Sequence, residues 1–155
     1  MTSSLSQRTE KILSELVAAT NAHDLDALMA CFAPDYVNET PAHPSRSFTG
    51  SAQVRRNWAR LFDAIPDLRA EVSQSVVDGS VAWTEWELSG TRRDGTDHHM
   101  RGVMIFTAAD GVLTSVRFYM EPVESADGDI DEAISRAAGT SPVAYRPVPH
   151  RKDRS

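Results

Sequence analysis

Residues 76–120 read VVDGSVAWTEWELSGTRRDGTDHHMRGVMIFTAADGVLTSVRFYM. Asp-Gly pairs recur in this stretch at a constant spacing of sixteen residues, at Asp78-Gly79, Asp94-Gly95 and Asp110-Gly111. Asp-Gly suits two-residue hairpin turns because it tolerates positive φ angles. Apolar and polar residues alternate between the pairs, which is the period of a half-buried strand. The stretch therefore predicts an antiparallel meander with strands near 68–77, 80–92, 97–108 and 112–121.

Apolar residues at helical spacing precede the strands and predict three helices. Ser4 with Gln7 resembles a capping box for the first helix, and Asp24 is placed to cap the second. Ser51 follows Gly50 at the start of the third helix, which Pro66 ends. The first half of the chain is therefore predicted to be helical, apart from a short extended piece at 36–38.

The C-terminal part has a different character. Asp129 is placed to cap a small helix that ends near Gly139, and SPVAYRPVPHRKDRS at 141–155 is typical of an extended or disordered tail. We predict one domain over residues 1–125, followed by this short helix and tail over residues 126–155.

Composition narrows the classes of partner. The 155 residues are 41% hydrophobic and carry a net charge of −6, which fits one globular domain and disfavours nucleic acid or an anionic membrane as a partner. The single Cys31 is predicted to be a small buried hydrophobe and fits a reducing compartment. The N-terminal sequence has no apolar leader, and no run approaches the roughly 18 apolar residues of a spanning helix. We predict a cytoplasmic protein.

The hairpin register decides which side chains share a face of the sheet. Two-residue turns at the Asp-Gly pairs would place residue 76 opposite 81, 83 opposite 106 and 104 opposite 117. This register predicts a mixed face that combines acidic, basic and large apolar residues. The predicted mixed face contains Leu68, Ala70, Val72, Trp83, Glu85, Glu87, Met100, Gly102, Met104, Phe106, Arg117, Tyr119 and Glu121.

Unpaired charges in a dry core are costly, so the mixed face is predicted to form a pocket beneath the helices. Trp58 and Phe62 of the third helix, with Tyr36 and Asn38, are candidate walls. The other face keeps an apolar stripe, which predicts a homodimer formed through the sheet. In the alternative interpretation, the two glutamates of the second strand are solvated, and an ordinary ion pair joins Arg117 to the glutamate at 121.

The order of these elements resembles a known family. The carrying segments are DLDALMACFAPDYV at 24–37 and RGVMIFTAADGVLTSVRFYMEP at 101–122, within a resemblance that covers residues 8–122. The chain resembles the SnoaL-like family of the nuclear transport factor 2-like superfamily. The resemblance implies an α+β cone with three N-terminal helices packed on a curved antiparallel sheet, commonly dimeric. Members include polyketide cyclases, ketosteroid isomerases, epoxide hydrolases and non-catalytic binders.

The resemblance also implies site residues. Polyketide cyclases of the family use an acid on the last strand, and Glu121 stands at the similar position, where Asp is usual. Limonene epoxide hydrolase holds its water with residues that Tyr36, Asn38 and Glu121 resemble. Its Arg-x-Asp pair corresponds to Glu85-x-Glu87 here, so the arginine is missing and Arg117 is a possible substitute from another strand.

These residues support two acid/base mechanisms without a cofactor. In isomerisation or polyketide-type cyclisation, Glu121 removes a proton next to a carbonyl, and Tyr119, Tyr36 or a protonated Glu85 stabilises the enolate. In epoxide opening, Glu121, Asn38 and Tyr36 orient water, while a protonated Glu85 or Glu87 donates to the leaving oxygen. The remaining residues are predicted to bind a small apolar substrate, namely Trp58, Phe62, Trp83, Glu87, Met100, Met104, Arg117 and Tyr119.

Other kinds of site find little support in the sequence. His98 and His99 are adjacent on a strand and point to opposite faces, so they do not chelate one metal ion together. His43 lies in a Pro-rich loop near the predicted pocket. The absence of a Gly-rich phosphate loop or a Cys-x-x-Cys pair predicts no cofactor and no metal. A non-catalytic ligand-binding or dimerisation module remains the alternative from another functional class.

Overall fold

The computed structural model describes residues 3–141. Two compact units divide at Val123 and Glu124. The first unit holds the helices α1 (Ser4–Ala22), α2 (Leu25–Met29) and α3 (Ser51–Ala64) together with the whole sheet. The second unit holds α4 (Ile130–Ala138). Most of the predicted tail, at 142–155, lies outside the described residues.

Local capping chemistry starts the helices. Ser3, rather than the predicted Ser4, caps α1, and its side chain accepts from the backbone N–H of Ser6. The predicted cap of α2 is confirmed, because Asp24 Oδ1 accepts from the Ala27 N–H at 3.0 Å. Asp129 likewise caps α4. These caps satisfy backbone donors that have no partner within their own helix.

The sheet has six strands in the order β2-β1-β6-β5-β4-β3. The predicted meander forms β3 (Arg69–Asp78), β4 (Val81–Thr91), β5 (Asp97–Ala109) and β6 (Val112–Pro122). The strands β1 (Phe32–Glu39) and β2 (Phe48–Thr49) extend it, and a 3₁₀ turn at Pro44–Arg46 lies between them. Since β1 runs parallel to β6, the sheet is not wholly antiparallel as predicted. The described part of the α+β fold has four α-helices: α1 and α2 precede β1, α3 lies between β2 and β3, and α4 follows β6.

The predicted register is wrong in all three hairpins. Between β3 and β4, Val76 pairs with Trp83 instead of residue 81, and the register shifts between Val72 and Gln74. The β4–β5 hairpin closes through a five-residue loop, 92–96, and pairs Trp83 with Ile105. The turn at Asp110-Gly111 has the predicted two residues, but an irregularity at 107–108 leads to the pairing of Met104 with Phe118. In the β4–β5 and β5–β6 hairpins, each change shifts the pairing by one residue, which exchanges the face on which one strand places its side chains relative to its neighbour.

The cavity face of the sheet, defined by the even-numbered residues of β4 and β5 and by those of β6 from Val116 onward, lies under α1 and α3. Its buried members include Trp86, Phe106, Val116 and Met120. The Thr84 hydroxyl donates to the Met104 carbonyl at 2.6 Å and accepts from Trp86 Nε1 at 2.7 Å. These two bonds give both the buried hydroxyl and the buried indole N–H a hydrogen-bond partner. The odd-numbered residues of the same segments form the open face.

Gly102 on β5 allows a close approach between strands. Its φ is +154°, and a Cβ added there would meet the Tyr119 carbonyl oxygen at 2.2 Å and the Met120 Cα at 2.7 Å. A larger residue would push β6 away from β5. The glycine therefore brings the two strands that carry Met100, Met104 and Phe118 close together beneath the helices.

Candidate functional site

A cavity of about 260 Å³ lies in the first unit between the cavity face of the sheet and the helices. Most of its wall is apolar, which suits the body of an organic molecule rather than a hydrated ion. The apolar lining residues are Leu16, Phe32, Phe48, Val54, Trp58, Leu61, Trp86, Leu88, Met100, Met104, Phe106 and Phe118.

One polar row on the wall comes from β1. Tyr36, Asn38 and Thr40 are two residues apart and therefore share a side of the strand. The Tyr36 hydroxyl donates to Asn38 Oδ1 at 3.5 Å, and Asn38 Nδ2 donates to Thr40 Oγ1 at 3.2 Å. Burial raises the pKa of the Tyr36 hydroxyl well above its ordinary value, so the phenol stays protonated and acts as a donor.

His98 of β5 is the titratable lining residue whose ordinary pKa lies nearest neutrality. Desolvation lowers the pKa of His98, and the positive charge of Arg92 and the neighbouring His99 lower it further. Arg92 Nη2 donates to His98 Nδ1 at 3.3 Å. Because arginine only donates, Nδ1 is the acceptor and Nε2 carries the proton of the neutral ring. His98 thus presents a neutral N–H donor.

Arg46 and Asn57 complete the more polar part of the lining. Asn57 Oδ1 accepts from Gln53 Nε2 at 2.8 Å, which leaves the Asn57 amide N–H groups to donate. Arg46 belongs to the 3₁₀ turn between β1 and β2. Together with Tyr36 and His98, these side chains make a site rich in donors.

Five of the residues predicted for the site lie in the cavity wall, namely Tyr36, Asn38, Trp58, Met100 and Met104. Phe62 lies behind this wall. Its ring stacks on His23 with a centroid distance of 4.4 Å and tilts against Trp58 at 5.6 Å. The structure therefore brings together the predicted walls from β1, α3 and β5, and the roles of these residues stay predictions.

The placement of the residues predicted from β4 and β6 is wrong. The same-parity pairing of β4, β5 and β6 puts their odd-numbered side chains on the open face. Alternation along each strand then carries these side chains away from the helices. The residues that lie on the open face instead of in the cavity are Trp83, Glu85, Glu87, Arg117, Tyr119 and Glu121.

The displaced charges have partners on the open face. Glu87 accepts from His99 Nε2 at 2.8 Å and pairs with Arg101 at 3.0 Å, and hydrogen bonding to His99 is the main cause of its lowered pKa. Arg117 pairs with Glu39 at 3.1 Å, not with Glu121 as the alternative interpretation expected. These contacts are those of a partly solvated sheet surface.

Two further contacts complete this surface. Glu121 contacts His43 Nε2 at 2.6 Å, and Ser73 donates to Glu85 at 3.3 Å. Over residues 3–141, the cavity lining contains no carboxylate. That same range contains no group of three or more His, Cys, Asp and Glu side chains arranged to hold a metal ion.

The sequence reasoning missed lining residues that a correct register would have found. His98 is two residues before Met100 on β5, so the predicted placement of Met100 already implied the same face for His98. Trp86 and Phe118 are even-numbered residues of β4 and β6, which the predicted register turned away from the helices. Arg46 and Asn57 carried no recognisable signal, because the path of a Pro-rich loop and the exact rotation of a helix depend on tertiary packing.

Comparison with known proteins agrees with this architecture. The sequence profile of the SnoaL-like domain matches residues 13–116. A candidate SnoaL-like polyketide cyclase from Jannaschia sp. CCS1 superposes with a TM-score of 0.67 at 20% identity, covering 78% of this chain and 90% of its own. Curated proteins give no significant match.

Two other solved structures have the same fold. An LEH-like epoxide hydrolase from M. tuberculosis has a TM-score of 0.64 at 16% identity, covering 74% of this chain and 84% of its own. A candidate ketosteroid isomerase from Kribbella flavida DSM 17836 has a TM-score of 0.62 at 20% identity, covering 96% and 95%. At these identities the likeness shows the fold alone. The profile match shows more: the chain belongs to the SnoaL-like domain family and has the nuclear transport factor 2-like fold.

Proposed function

We propose that this chain binds a small, mostly apolar organic molecule in the cavity and performs cofactor-independent acid/base chemistry on it, as an isomerase or a polyketide-type cyclase. The observation that carries the proposal is a neutral His98 in a mostly apolar wall. A neutral imidazole N–H can polarise a carbonyl group without the cost of burying a charge. Relatives of the same fold include a candidate polyketide cyclase and a candidate ketosteroid isomerase.

The proposed chemistry differs from the sequence-based expectation in the residue that acts on the substrate, which is His98 instead of Glu121. Glu121 lies on the open face, so it does not serve as the base next to the substrate. Instead, the Nε2–H of His98 donates to a carbonyl oxygen and stabilises the enolate that forms when an adjacent C–H loses its proton. A C–H between two carbonyl groups is acidic enough to lose its proton to water under such stabilisation. Polyketide-like substrates contain this group.

Deuterium uptake tests the proposal directly. Cyclic enones and 1,3-diketones would be incubated with the protein in D₂O and analysed by mass spectrometry. We expect His98→Leu, which removes the side-chain N–H, to slow deuterium uptake or product formation by roughly 100-fold, since loss of one positioned donor has effects of this size. His99→Leu is the matched control, because His99 is the next residue and lies on the open face. Equal rates in wild type and His98→Leu would contradict the proposal.

Non-catalytic ligand binding is the second candidate function. It is favoured by the lack of a carboxylate among the described lining residues, because a site with donors alone binds a ligand without a fixed proton acceptor. Tight binding of an enone with no deuterium uptake in the wild-type protein would support this function over catalysis.

Epoxide hydrolysis is a weaker proposal. Tyr36 and Asn38 lie in the cavity, but the third member of the water-holding set, Glu121, is on the other face. Reaction of an epoxide panel in ¹⁸O-labelled water provides the test. Labelled diol from wild type, lost in Asn38→Ala and retained in Glu121→Gln, would establish hydrolysis with a different set of residues.

We also propose a homodimer formed through the open face. Val76 is 70% exposed and Trp83 57% exposed on this face, with Tyr119 at 38%. Such exposed apolar groups on one sheet surface are typical of association sites. Size-exclusion chromatography with light scattering should give twice the chain mass for wild type and for Arg60→Gln on α3. Trp83→Arg should give the mass of one chain, and a monomeric wild type would contradict the proposal.

A further inference from the structure

The rim loop, residues 40–47 between β1 and β2, contributes Thr40 and Arg46 to the cavity lining. The Thr40 N–H donates to Ser47 Oγ at 2.9 Å, so the ends of the loop are held together. Inside it, the His43 N–H donates to the Thr40 carbonyl at 3.0 Å and the Arg46 N–H donates to the His43 carbonyl at 2.9 Å. These bonds fix the backbone of the loop, and both Arg46 and Thr40 line the cavity.

The sheet topology puts the rim loop at the same end of the cavity as His98. Since β1 runs parallel to β6, the chain leaves β1 in the direction in which β6 ends. The last residue of β6, Pro122, pairs with Met100 near the start of β5. The contact between His43 and Glu121 at 2.6 Å fixes the loop to β6. Arg46, Thr40 and His98 therefore belong to one end of the cavity.

The charge of Arg46 is not balanced by a carboxylate. Within the described part of the chain, no salt bridge involves Arg46, whereas Arg55, Arg93, Arg101 and Arg117 each pair with an acid. Among the described residues, the cavity lining also contains no carboxylate that could pair with Arg46. A guanidinium presents a planar fork of donors that matches a carboxylate with two parallel hydrogen bonds. The Arg46 guanidinium is thus suited to bind an anionic group of a ligand.

The hydrogen bonds along β1 supply a second donor at this place. Tyr36 donates to Asn38, and Asn38 donates to Thr40. Because Thr40 Oγ1 accepts at the end of this row, its own hydroxyl proton is available to donate. Thr40 is only 4% exposed, so this donor lies in a position shielded from bulk water. A carboxylate beside Arg46 can therefore accept from Thr40 as well.

We propose that the natural ligand is an apolar carboxylic acid whose carboxylate binds Arg46 and Thr40 while its ring or chain fills the cavity between Trp58, Trp86 and Met104. This assignment rests on the proposed function, in that the cavity must bind a small organic molecule. It narrows that function to acidic substrates and disfavours amines, which Arg46 repels.

Matched probes separate the carboxylate from the apolar body. Isothermal titration calorimetry would compare 2-naphthoate with 2-acetonaphthone, which carries the same ring system and a neutral methyl ketone. The proteins are wild type, Arg46→Gln, Arg46→Lys and the control Arg60→Gln, whose exposed arginine lies on α3 outside the lining. Wild type should bind both probes and prefer naphthoate.

We expect Arg46→Gln to weaken naphthoate binding at least tenfold and to change the Kd of the ketone less than twofold. Arg46→Lys should show an intermediate loss for naphthoate, because the charge remains and the fork is lost. Arg60→Gln should match wild type for both probes. Equal losses for the two probes in Arg46→Gln, or no loss for naphthoate, would overturn the carboxylate assignment alone. Failure of wild type to bind either probe would count against the proposed function itself.

Discussion

The two faces of the sheet are built from the same strands but differ in burial and in charge. The cavity face is apolar, with Trp86, Phe106 and Met120 each 2% exposed. The open face carries paired charges such as Glu87 with Arg101 beside an exposed Trp83. Because side chains alternate, neighbouring residues on one strand enter environments as different as a protein interior and a solvated surface. Function on this sheet therefore depends on residue parity as much as on residue type.

The largest effect that tests this contrast is on folding stability. Phe106→Ala on the cavity face should lower the free energy of unfolding by about 3–5 kcal/mol, because it removes a buried aromatic ring and leaves a void. Val76→Ala on the open face should change it by less than about 0.5 kcal/mol. Urea denaturation at low protein concentration measures both. Similar losses in the two variants would mean that the faces differ less than their exposure indicates.

Backbone contact beneath the cavity gives the next effect. Gly102→Ala should cost about 2 kcal/mol or more in unfolding free energy, because the new Cβ would collide with the β6 backbone. Gly95→Ala also replaces a glycine with positive φ, at +85°, but its Cβ meets open space. Gly95→Ala should cost only about 1 kcal/mol. Thermal and urea unfolding of the two variants would separate the cost of backbone strain from that of steric overlap. Equal losses of unfolding free energy in Gly102→Ala and Gly95→Ala would contradict a close approach of β5 and β6 at Gly102.

A smaller effect is expected for the acid that the family resemblance placed in the site. Glu121→Gln should change the rate of deuterium uptake by less than about threefold, since Glu121 contacts His43 on the open face rather than the substrate. The rate would be compared with that of His98→Leu on the same substrate. A loss in Glu121→Gln as large as that in His98→Leu would show that Glu121 takes part in the reaction.

The smallest effect concerns pH. Since the folded-state pKa of His98 lies below its ordinary value of about 6.5, the unfolded chain takes up that proton first on acidification. The stability contribution of the neutral ring is therefore present above pH 6.5 and lost as the pH falls through the folded-state pKa. Glu87, whose pKa is also lowered, loses its contribution in a more acidic window, below its ordinary value near 4.5.

Urea midpoints between pH 7 and pH 5 would show the first loss in wild type and in His99→Gln, but not in His98→Gln. Proton NMR of the His98 ring gives the pKa independently. A His98 pKa at or above 6.5 would show that the ring is not desolvated in the cavity wall.

Sequence reasoning recovered the strands and helices closely, because turn residues and apolar periodicity are local signals. It failed at strand pairing, which is not local. Asp94-Gly95 lies inside a five-residue loop, and the irregularity at 107–108 has no distinctive sequence. Each feature changes the pairing by one residue, and the irregularity between Val72 and Gln74 does the same between β3 and β4. The start of β3 and the whole of β5 were therefore assigned to the helix side correctly, while β4 and β6 were reversed.

The candidate site suffered from the same cause. Met100 and Met104 were placed correctly because the register error did not affect β5 relative to the helices. Glu85 and Glu121 were placed in the pocket because the predicted register put the odd-numbered residues of β4 and β6 on the helix side. Tyr36 and Asn38 reached the cavity through β1, whose parallel pairing with β6 the turn pattern did not predict. The lining residues His98 and Arg46 matched none of the site residues that the family resemblance implied.

The positions of the tryptophans give each face its own optical reporter. Trp86 is 2% exposed and Trp58 lines the cavity, whereas Trp83 is 57% exposed on the open face. Indole emission shifts to longer wavelength in water, and a dissolved quencher reaches an exposed ring before a buried one. When no second chain covers the open face, iodide should therefore quench the fluorescence of Trp83 first. The remaining emission, at shorter wavelength, then comes from Trp86 and Trp58. Ligand uptake and sheet coverage can thus be followed in one cuvette, at separate wavelengths, without attaching a dye.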